Sequence, residues 1–142
     1  EVGYHAGWNL VGLPLNVADA FHLSLFPEAI EGTLFSYQNS YFQESDLVLG
    51  NGYWLRFLEE GTATLSSGSS IHELQVSLEE GWNLVSGITD PLDVSQIQDP
   101  DGLMITGTFY GYGEGYEQAQ VMLPGKGYWV RSNGTGSIML GN

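Results

Sequence analysis

The sequence predicts an all-β protein, and three features of the chain lead to that prediction. Glycine makes up 20 of the 142 residues, while charged residues make up only 14%. Aromatic and β-branched residues alternate with polar ones over most of the chain, a pattern typical of half-buried antiparallel strands. These short apolar stretches are separated by turn-forming residues, as they are in β-sandwiches and β-barrels.

A two-copy internal repeat organises the whole chain. Gly-Trp-Asn-Leu-Val at residues 7–11 recurs at residues 81–85, an offset of 74 (81 − 7). Gly-Tyr-Trp-Leu-Arg at residues 52–56 recurs as Gly-Tyr-Trp-Val-Arg at residues 127–131, an offset of 75 (127 − 52). All four tryptophans therefore fall on two equivalent pairs of positions. Because they repeat beside glycines at strand starts, we expect them to form a symmetric core.

Two copies are too few for an open solenoid, which needs about three units to bury its faces. We therefore predict a pseudo-twofold internal duplication that forms one antiparallel β-barrel or β-sandwich, and the strand pattern leaves these two alternatives open. Repeat one is expected at about residues 1–70 and repeat two at about 71–142. No proline-rich linker separates them, so we expect a single β domain over residues 1–142 with one joint core.

Each copy is predicted to contain a strand, a connector, a hairpin and two further strands. The predicted strands outside the connectors are Trp8–Leu15, Thr33–Tyr37, Tyr41–Glu44, Tyr53–Leu58 and Thr62–Leu65 in copy one, and Thr108–Tyr112, Tyr116–Gln120, Tyr128–Arg131 and Ser137–Leu140 in copy two. The last two strands of each copy are expected to pair with each other, around turns at residues 59–61 and 133–134.

The connectors that follow the Gly-Trp-Asn motifs are predicted to hold short helical turns. These turns are expected at Val17–Phe26 in copy one and at Val94–Gln98 in copy two. Asp19 or Asp93 would act as the N-cap, because an aspartate oxygen accepts a hydrogen bond from a free backbone N–H at a helix start.

The charge balance excludes one class of partner. The chain has 17 acidic and 3 basic residues, which gives a net charge of −14. Nucleic acid is excluded as a partner, since phosphates are bound by clusters of lysine and arginine.

No apolar run of 18 or more residues is present, so we predict no membrane insertion. The chain contains no cysteine, which rules out a disulfide framework and thiol chemistry.

The hairpin tyrosines are the predicted ligand-binding residues. A flat aromatic ring stacks on the apolar face of a sugar, while nearby amides and carboxylates bind its hydroxyls. The candidates surround turns rich in Asn, Gln and Glu, and are Tyr37, Tyr41, Tyr110, Tyr112 and Tyr116.

No catalytic or metal-ligating residues are predicted. The three histidines lack metal-ligand spacing, and no Gly-x-Ser-x-Gly motif is present. Four aspartates of the second connector, Asp90, Asp93, Asp99 and Asp101, carry the oxygen ligands that Ca²⁺ prefers. Their spacing does not match an EF-hand loop, so we predict no cofactor and keep Ca²⁺ as the alternative.

Two segments of the second copy resemble a known type of repeat. Gly-Trp-Asn-Leu-Val-Ser at residues 81–86 and Gly-Lys-Gly-Tyr-Trp-Val at residues 125–130 resemble the repeat modules of large bacterial secreted and cell-surface proteins. The first copy departs from this pattern, with Gly12 in place of the serine and Asn51 in place of the lysine. The resemblance implies an extracellular or cell-surface accessory module beside other domains of a larger chain, and it brings no catalytic residues.

We therefore expect a non-catalytic extracellular module that binds polysaccharide or another surface ligand. The alternative is a structural, spacer or anchoring module of a multidomain surface protein, in which the aromatic residues all belong to the core. A third alternative, an acidic glycoside hydrolase, requires two carboxylates about 5–10 Å apart in a cleft. Solvent exposure of the hairpin tyrosines distinguishes the first two.

Overall fold

A computed structural model describes residues 1–141, which form many short strands and only two helical turns. The strands of repeat one are β1 (Val2–Tyr4), β2 (Gly7–Val11), β3 (Leu15–Asn16), β4 (Phe35–Tyr37), β5 (Tyr41–Gln43), β6 (Tyr53–Phe57), β7 (Gly61–Ala63) and β8 (Ser69–Ser70). Those of repeat two are β9 (Glu73–Leu78), β10 (Gly81–Ser86), β11 (Leu92–Asp93), β12 (Tyr110–Tyr112), β13 (Tyr116–Gln118), β14 (Val121–Met122), β15 (Gly127–Ser132) and β16 (Gly136–Gly141). All strand pairs are antiparallel, so the all-β prediction is confirmed.

Each repeat builds a four-stranded sheet with the same strand order. The order is β2-β6-β4-β5 in repeat one and β10-β15-β12-β13 in repeat two. The register is also the same, because Trp8 lies opposite Arg56 in the first sheet and Trp82 lies opposite Arg131 in the second. The equivalent motifs of the sequence therefore occupy equivalent places in the two sheets.

The pairing predicted for the last two strands of each copy is wrong. β7 pairs with β1, and β16 pairs with β9. The reason lies in the sheet order, since β6 is flanked by β2 and β4, and β15 by β10 and β12. With both edges of β6 and β15 already hydrogen-bonded, the strand that follows each of them has to find another partner.

The barrel alternative is also wrong for the part of the chain that the structure describes. The sheets have two or four strands, and none of them closes on itself. Each four-stranded sheet ends at a three-residue edge strand, β5 or β13, whose residues are all exposed. Such short edge strands leave the sheets open and limit their edge-to-edge pairing with other chains.

The predicted helical turns lie in both connectors. Helix α1 (His22–Leu25) lies in the first, and a 3-10 helix (Val94–Gln96) lies in the second. Asp93 is the N-cap of the 3-10 helix, as predicted, and accepts from the Ser95 N–H at 2.9 Å. Asp19 is not an N-cap; that position is Phe21, whose N–H donates to the Asp19 carboxylate at 3.1 Å. Within residues 1–141, neither helix has the length and hydropathy to cross a membrane.

The hydrophobic core consists of three clusters, one within each repeat and one shared between them. One buried cluster draws only on repeat one and includes Leu55 and Phe57, while another draws only on repeat two and includes Val130. A third cluster lies between them and is built on Leu10, Leu84 and Trp129. Each repeat thus buries one face of its own sheet in its own cluster. The other faces of the two sheets contact each other at the third cluster.

The Gly-Trp-Asn motif forms the same turn in both repeats. Gly7 and Gly81 have φ values of 94° and 98°, a region that residues with a Cβ rarely adopt. Asn9 donates from Nδ2 to the His5 carbonyl at 2.8 Å and accepts from the His5 N–H at 3.0 Å. Asn83 makes the same two bonds, at 2.9 Å each, with Glu79. The glycine and the asparagine are therefore structural, while the tryptophan between them is free to point outward.

The repeats join through reciprocal backbone contacts. Val11 forms an antiparallel bridge with Lys126, and Val85 forms the equivalent bridge with Asn51. The Gly12 N–H donates to the Gly125 carbonyl at 3.1 Å, and the Ser86 N–H donates to the Gly50 carbonyl at 2.9 Å. The end of each Gly-Trp-Asn strand thus binds the segment that precedes the Gly-Tyr-Trp strand of the other repeat.

Candidate functional site

Strand alternation and register give each four-stranded sheet one aromatic face. Residues opposite each other in an antiparallel pair lie on the same side of the sheet, as do residues two apart on one strand. The residues on this face of the first sheet are Trp8, Leu10, Phe35, Tyr37, Tyr41, Gln43, Trp54 and Arg56. The corresponding residues of the second sheet are Trp82, Leu84, Tyr110, Tyr112, Tyr116, Gln118, Trp129 and Arg131.

The two aromatic faces touch through a pair of reciprocal ring contacts. Tyr37 of repeat one packs edge-to-face on Trp129 of repeat two, with ring centroids 5.0 Å apart. Trp54 of repeat one packs in the same way on Tyr112 of repeat two, also at 5.0 Å. Because Tyr37 and Tyr112 are equivalent positions, as are Trp54 and Trp129, the two contacts are one interaction made in both directions. Edge-to-face pairs at this distance are favourable beyond the area they bury.

Two aromatic pockets flank these contacts. The first aromatic pocket has a volume of about 400 Å³ and is lined by Tyr37, Tyr41, Trp82, Tyr110, Tyr116 and Trp129. The second aromatic pocket has a volume of about 480 Å³ and is lined by Trp8, Phe35, Tyr41, Trp54, Tyr112 and Tyr116. Both volumes lie in the usual range of small-molecule sites, and every lining residue is aromatic.

Tyr41 and Tyr116 line both pockets, and we call this pair the tyrosine ridge. They are 53% and 58% exposed, and each ring also packs against the preceding tyrosine of its own hairpin at 5.2 Å. Burial raises the pKa of Tyr116, and the nearby Tyr41 adds to the increase, while the Trp129 indole N–H opposes it. The Trp129 indole nitrogen is buried, and its contact with the Tyr116 phenol does not have the geometry of a full hydrogen bond.

All five tyrosines singled out from the sequence line these pockets. Tyr41 and Tyr116 are exposed, and the remaining three, Tyr37, Tyr110 and Tyr112, are half-buried. The hairpins bring the five together because the two aromatic faces meet where β4 and β12 lie.

The tryptophans differ from the expected core role. Trp129 is buried and Trp54 is half-buried, but Trp8 and Trp82 are 39% and 42% exposed, and each lines one of the two pockets. The alternation of side chains along the strand could have identified the exposed tryptophans. In Gly-Trp-Asn-Leu-Val the asparagine and the valine face the repeat's own core, so the tryptophan has to face the other way.

A polar groove adjoins the first aromatic pocket and shares Tyr37 and Trp82 with it. We call it the amide groove; its volume is about 350 Å³, and its polar lining includes Gln38, Asn39, Asn51, Ser77 and Glu79. Gln38 and Asn39 lie at the exposed tip of the β4–β5 hairpin, where Asn39 has a φ of 62°. Amide side chains both donate and accept hydrogen bonds, so the groove can bind hydroxyl groups from either side.

Two of the aspartates considered for Ca²⁺ bind backbone instead. Asp99 accepts from the N–H groups of Leu103 and Met104, both at 2.8 Å. Asp93 caps the 3-10 helix, and its pKa is lowered chiefly by the hydrogen bond from the Ser95 hydroxyl. Among residues 1–141 no group of three or more His, Cys, Asp or Glu side chains is arranged to hold a metal ion.

Comparison with protein-family models, with curated proteins and with solved structures gives no match of any of the three kinds.

Proposed function

We propose that this chain is a non-catalytic accessory module that binds polysaccharide through the two aromatic pockets and the tyrosine ridge between them. One observation carries the proposal: two aromatic-lined pockets of about 400 and 480 Å³ lie side by side, divided by two tyrosines that are more than half exposed. Soluble proteins rarely expose a contiguous apolar surface unless that surface is an interaction or ligand-binding site. Flat rings presented in series suit the apolar faces of successive sugar units.

The charge of the molecule favours an uncharged ligand. With a net charge of −14, the module repels uronate-bearing or sulfated chains at long range. The pockets themselves are lined by no ionisable side chain other than tyrosine. Stacking on neutral sugars requires no charge on either partner, so the acidic surface does not oppose it.

We infer that the two repeats act as one pseudo-twofold unit in the manner of a β-sandwich. The reciprocal contacts between Tyr37 and Trp129 and between Trp54 and Tyr112 support this, since the pockets exist only where both sheets contribute rings. The inference covers residues 1–142 as a single β domain.

The resemblance of residues 81–86 and 125–130 to bacterial surface-protein modules, together with the polar, weakly charged composition, supports an extracellular or cell-surface location. The partners proposed on this basis are the polysaccharide and the other domains of a larger chain. No cofactor is required for ring stacking, and none is proposed.

The test is retention of the isolated module on a panel of insoluble and soluble neutral polysaccharides, with and without Ca²⁺. Tyr41→Ala and Tyr116→Ala are expected to reduce binding, because each removes a ring shared by both pockets. Phe42→Ala is the matched control: Phe42 is next to Tyr41 and 50% exposed, but it lies on the opposite side of β5 and lines neither aromatic pocket.

A loss of retention in both tyrosine variants, with Phe42→Ala unchanged, supports the proposal. If the unaltered module is retained on no glycan, the proposal is wrong, and a structural or anchoring role becomes the better explanation. Equal losses in all three variants would indicate nonspecific adhesion of exposed aromatic surface. Retention that needs Ca²⁺ would contradict the absence of a cofactor.

A further inference from the structure

The two aromatic pockets are equivalent position by position, with a single difference in their lining. The offsets of 74 and 75 residues convert the lining of the first pocket into that of the second, except that Tyr110 corresponds to Phe35. The first pocket therefore has one phenol hydroxyl that the second lacks. A hydroxyl beside stacked rings can bond a sugar hydroxyl, so this difference favours the first pocket.

The surroundings of the pockets differ much more than their linings. The amide groove extends from the first pocket between Asn51 and Ser77. The equivalent positions beside the second pocket are Lys126 and Gly3, at offsets of 75 (126 − 51) and 74 (77 − 3). There the Lys126 ammonium donates to the Gly3 carbonyl, so the lysine side chain connects these two positions. Beside the first pocket, the equivalent residues Asn51 and Ser77 both line the amide groove.

Other contacts support the closure beside the second pocket. Lys126 is half-buried, and burial lowers the pKa of its ammonium group. His5, the counterpart of Glu79, places its ring 6.3 Å from the ring of Tyr112. Beside the second pocket, side chains thus occupy positions that line an open groove beside the first.

We propose that the first aromatic pocket and the amide groove form one extended binding site for an uncharged oligosaccharide of several units, and that the second aromatic pocket binds only a short stretch of the chain because Lys126 occupies the matching groove. The inference rests on the proposed polysaccharide-binding function and deepens it. It makes the module functionally asymmetric in spite of its duplicated sequence.

The chemistry of the amide groove indicates the ligand class. Gln38, Asn39 and Asn51 provide amides that both donate and accept, and Ser77 provides a hydroxyl, which together match sugar hydroxyls. Glu79 is the one carboxylate lining the groove, and the chain as a whole is acidic, so a uronate or sulfate would be repelled. The site therefore suits a neutral sugar whose first units stack on Trp82 and Tyr37 and whose next units reach the amides.

The test compares the unaltered module with two reciprocal variants. Asn51→Lys introduces a lysine beside the first pocket, and Lys126→Asn removes the lysine beside the second pocket. Affinities for cello-, malto-, xylo- and laminari-oligosaccharides of two to six units are measured by titration calorimetry. The unaltered module is expected to bind longer chains more tightly, and Asn51→Lys is expected to abolish that gain.

The tryptophans give a second readout. Trp82→Ala is expected to reduce hexasaccharide affinity about tenfold or more beyond the loss in Trp8→Ala, since stacking and access to the groove are lost together. In the double variant Asn51→Lys with Lys126→Asn, the difference between the two losses is expected to shrink, because the first groove is closed and the second is opened. Asn39→Gly, which keeps the left-handed backbone but removes one amide, is expected to reduce hexasaccharide affinity even if Asn51→Lys proves unstable.

The possible failures are distinguishable. If none of the sugars binds, the proposed function is wrong, and this inference with it. If sugars bind, but Trp8→Ala and Trp82→Ala reduce affinity equally and Asn51→Lys and Asn39→Gly have no effect on chain-length dependence, the pockets are equivalent and only this inference is overturned. Tighter binding of charged than of neutral oligosaccharides would overturn the ligand class.

Discussion

Gly12 of the first repeat lies against Ser86 of the second so closely that a Cβ on Gly12 would be 2.1 Å from the Ser86 Cβ. The two residues occupy equivalent positions, offset by 74 (86 − 12). At this contact the repeats can accommodate only one side chain. The departure of the first copy from the Gly-Trp-Asn-Leu-Val-Ser pattern is therefore a requirement of packing the repeats together.

This contact predicts the outcome of exchanging the two residues. Gly12→Ser places two side chains where one fits and is expected to destabilise the module by about 1–3 kcal/mol, typical of overpacking. The double variant Gly12→Ser with Ser86→Gly restores one side chain at the contact and should recover most of that loss. The free energy of unfolding from urea titration measures both effects. Strict additivity of the two single variants would show that the residues do not compete for the same space.

The Gly-Trp-Asn turns predict a second pair of effects. Asn9→Ala removes the bonds to the His5 N–H and carbonyl and leaves these groups without a side-chain partner. Asn83→Ala does the same to Glu79. Each variant is expected to lose about 1–3 kcal/mol in free energy of unfolding, because partly buried backbone groups lose their hydrogen-bond partner. Gln75→Ala, which removes an exposed bond to Ser137, should cost under about 0.5 kcal/mol. An equally large loss of unfolding free energy in Gln75→Ala would show that the two turn asparagines have no special role in stability.

Much of the fold could be predicted from the sequence because the repeat and the strand period are local signals. The hairpin strands β4–β5 and β12–β13 lie within the predicted ranges, since each turn is only a few residues long. The pairing of β7 with β1 could not be predicted, because it joins segments almost 60 residues apart, and nothing in either sequence specifies the partner. The local turn at residues 59–61 favoured a hairpin that the sheet order excludes.

The site could be predicted only in part. Aromatic hairpins identified the five tyrosines, but the pockets depend on which faces of the two sheets meet, and that is a tertiary property. Repetition predicts a core role for Trp8 and Trp82, but it cannot separate a buried from an exposed ring. The bond from Lys126 to the Gly3 carbonyl joins residues 123 positions apart in the chain, which only the three-dimensional structure brings together.

Two buried tyrosines predict the alkaline behaviour of the module. Burial raises the pKa of Tyr53 and of Tyr128, whose phenol oxygens accept from the Val48 and Leu123 N–H groups at 2.8 Å. Because the unfolded pKa is about 10, the folded state keeps these protons at higher pH than the unfolded state does. Their contribution to stability is therefore complete below pH about 10 and is lost as pH rises through the folded pKa.

The measurement that checks this is urea unfolding from pH 7 to pH 11. Tyr53→Phe and Tyr128→Phe remove the acceptor and should each cost about 1–3 kcal/mol at pH 7. Above pH about 10 the unaltered module loses stability faster than either variant, so the difference narrows. A difference that stays constant with pH would show that neither phenol is coupled to unfolding.

The reciprocal ring contacts predict that the repeats are coupled through specific aromatic pairs. Tyr37→Leu combined with Trp129→Leu removes one contact, and Tyr112→Leu combined with Trp54→Leu removes the other. Each double-mutant cycle is expected to give a coupling of about 0.5–1.5 kcal/mol, the usual range for edge-to-face rings. Tyr4 stacks on Phe57 within repeat one and contacts neither pair, so Tyr4→Leu with Trp129→Leu should be additive within about 0.5 kcal/mol. Coupling in only one of the two reciprocal cycles would mean that the duplicated interface is energetically one-sided. No coupling in either would show that other contacts hold the repeats together, such as the backbone bridges of Val11 and Val85.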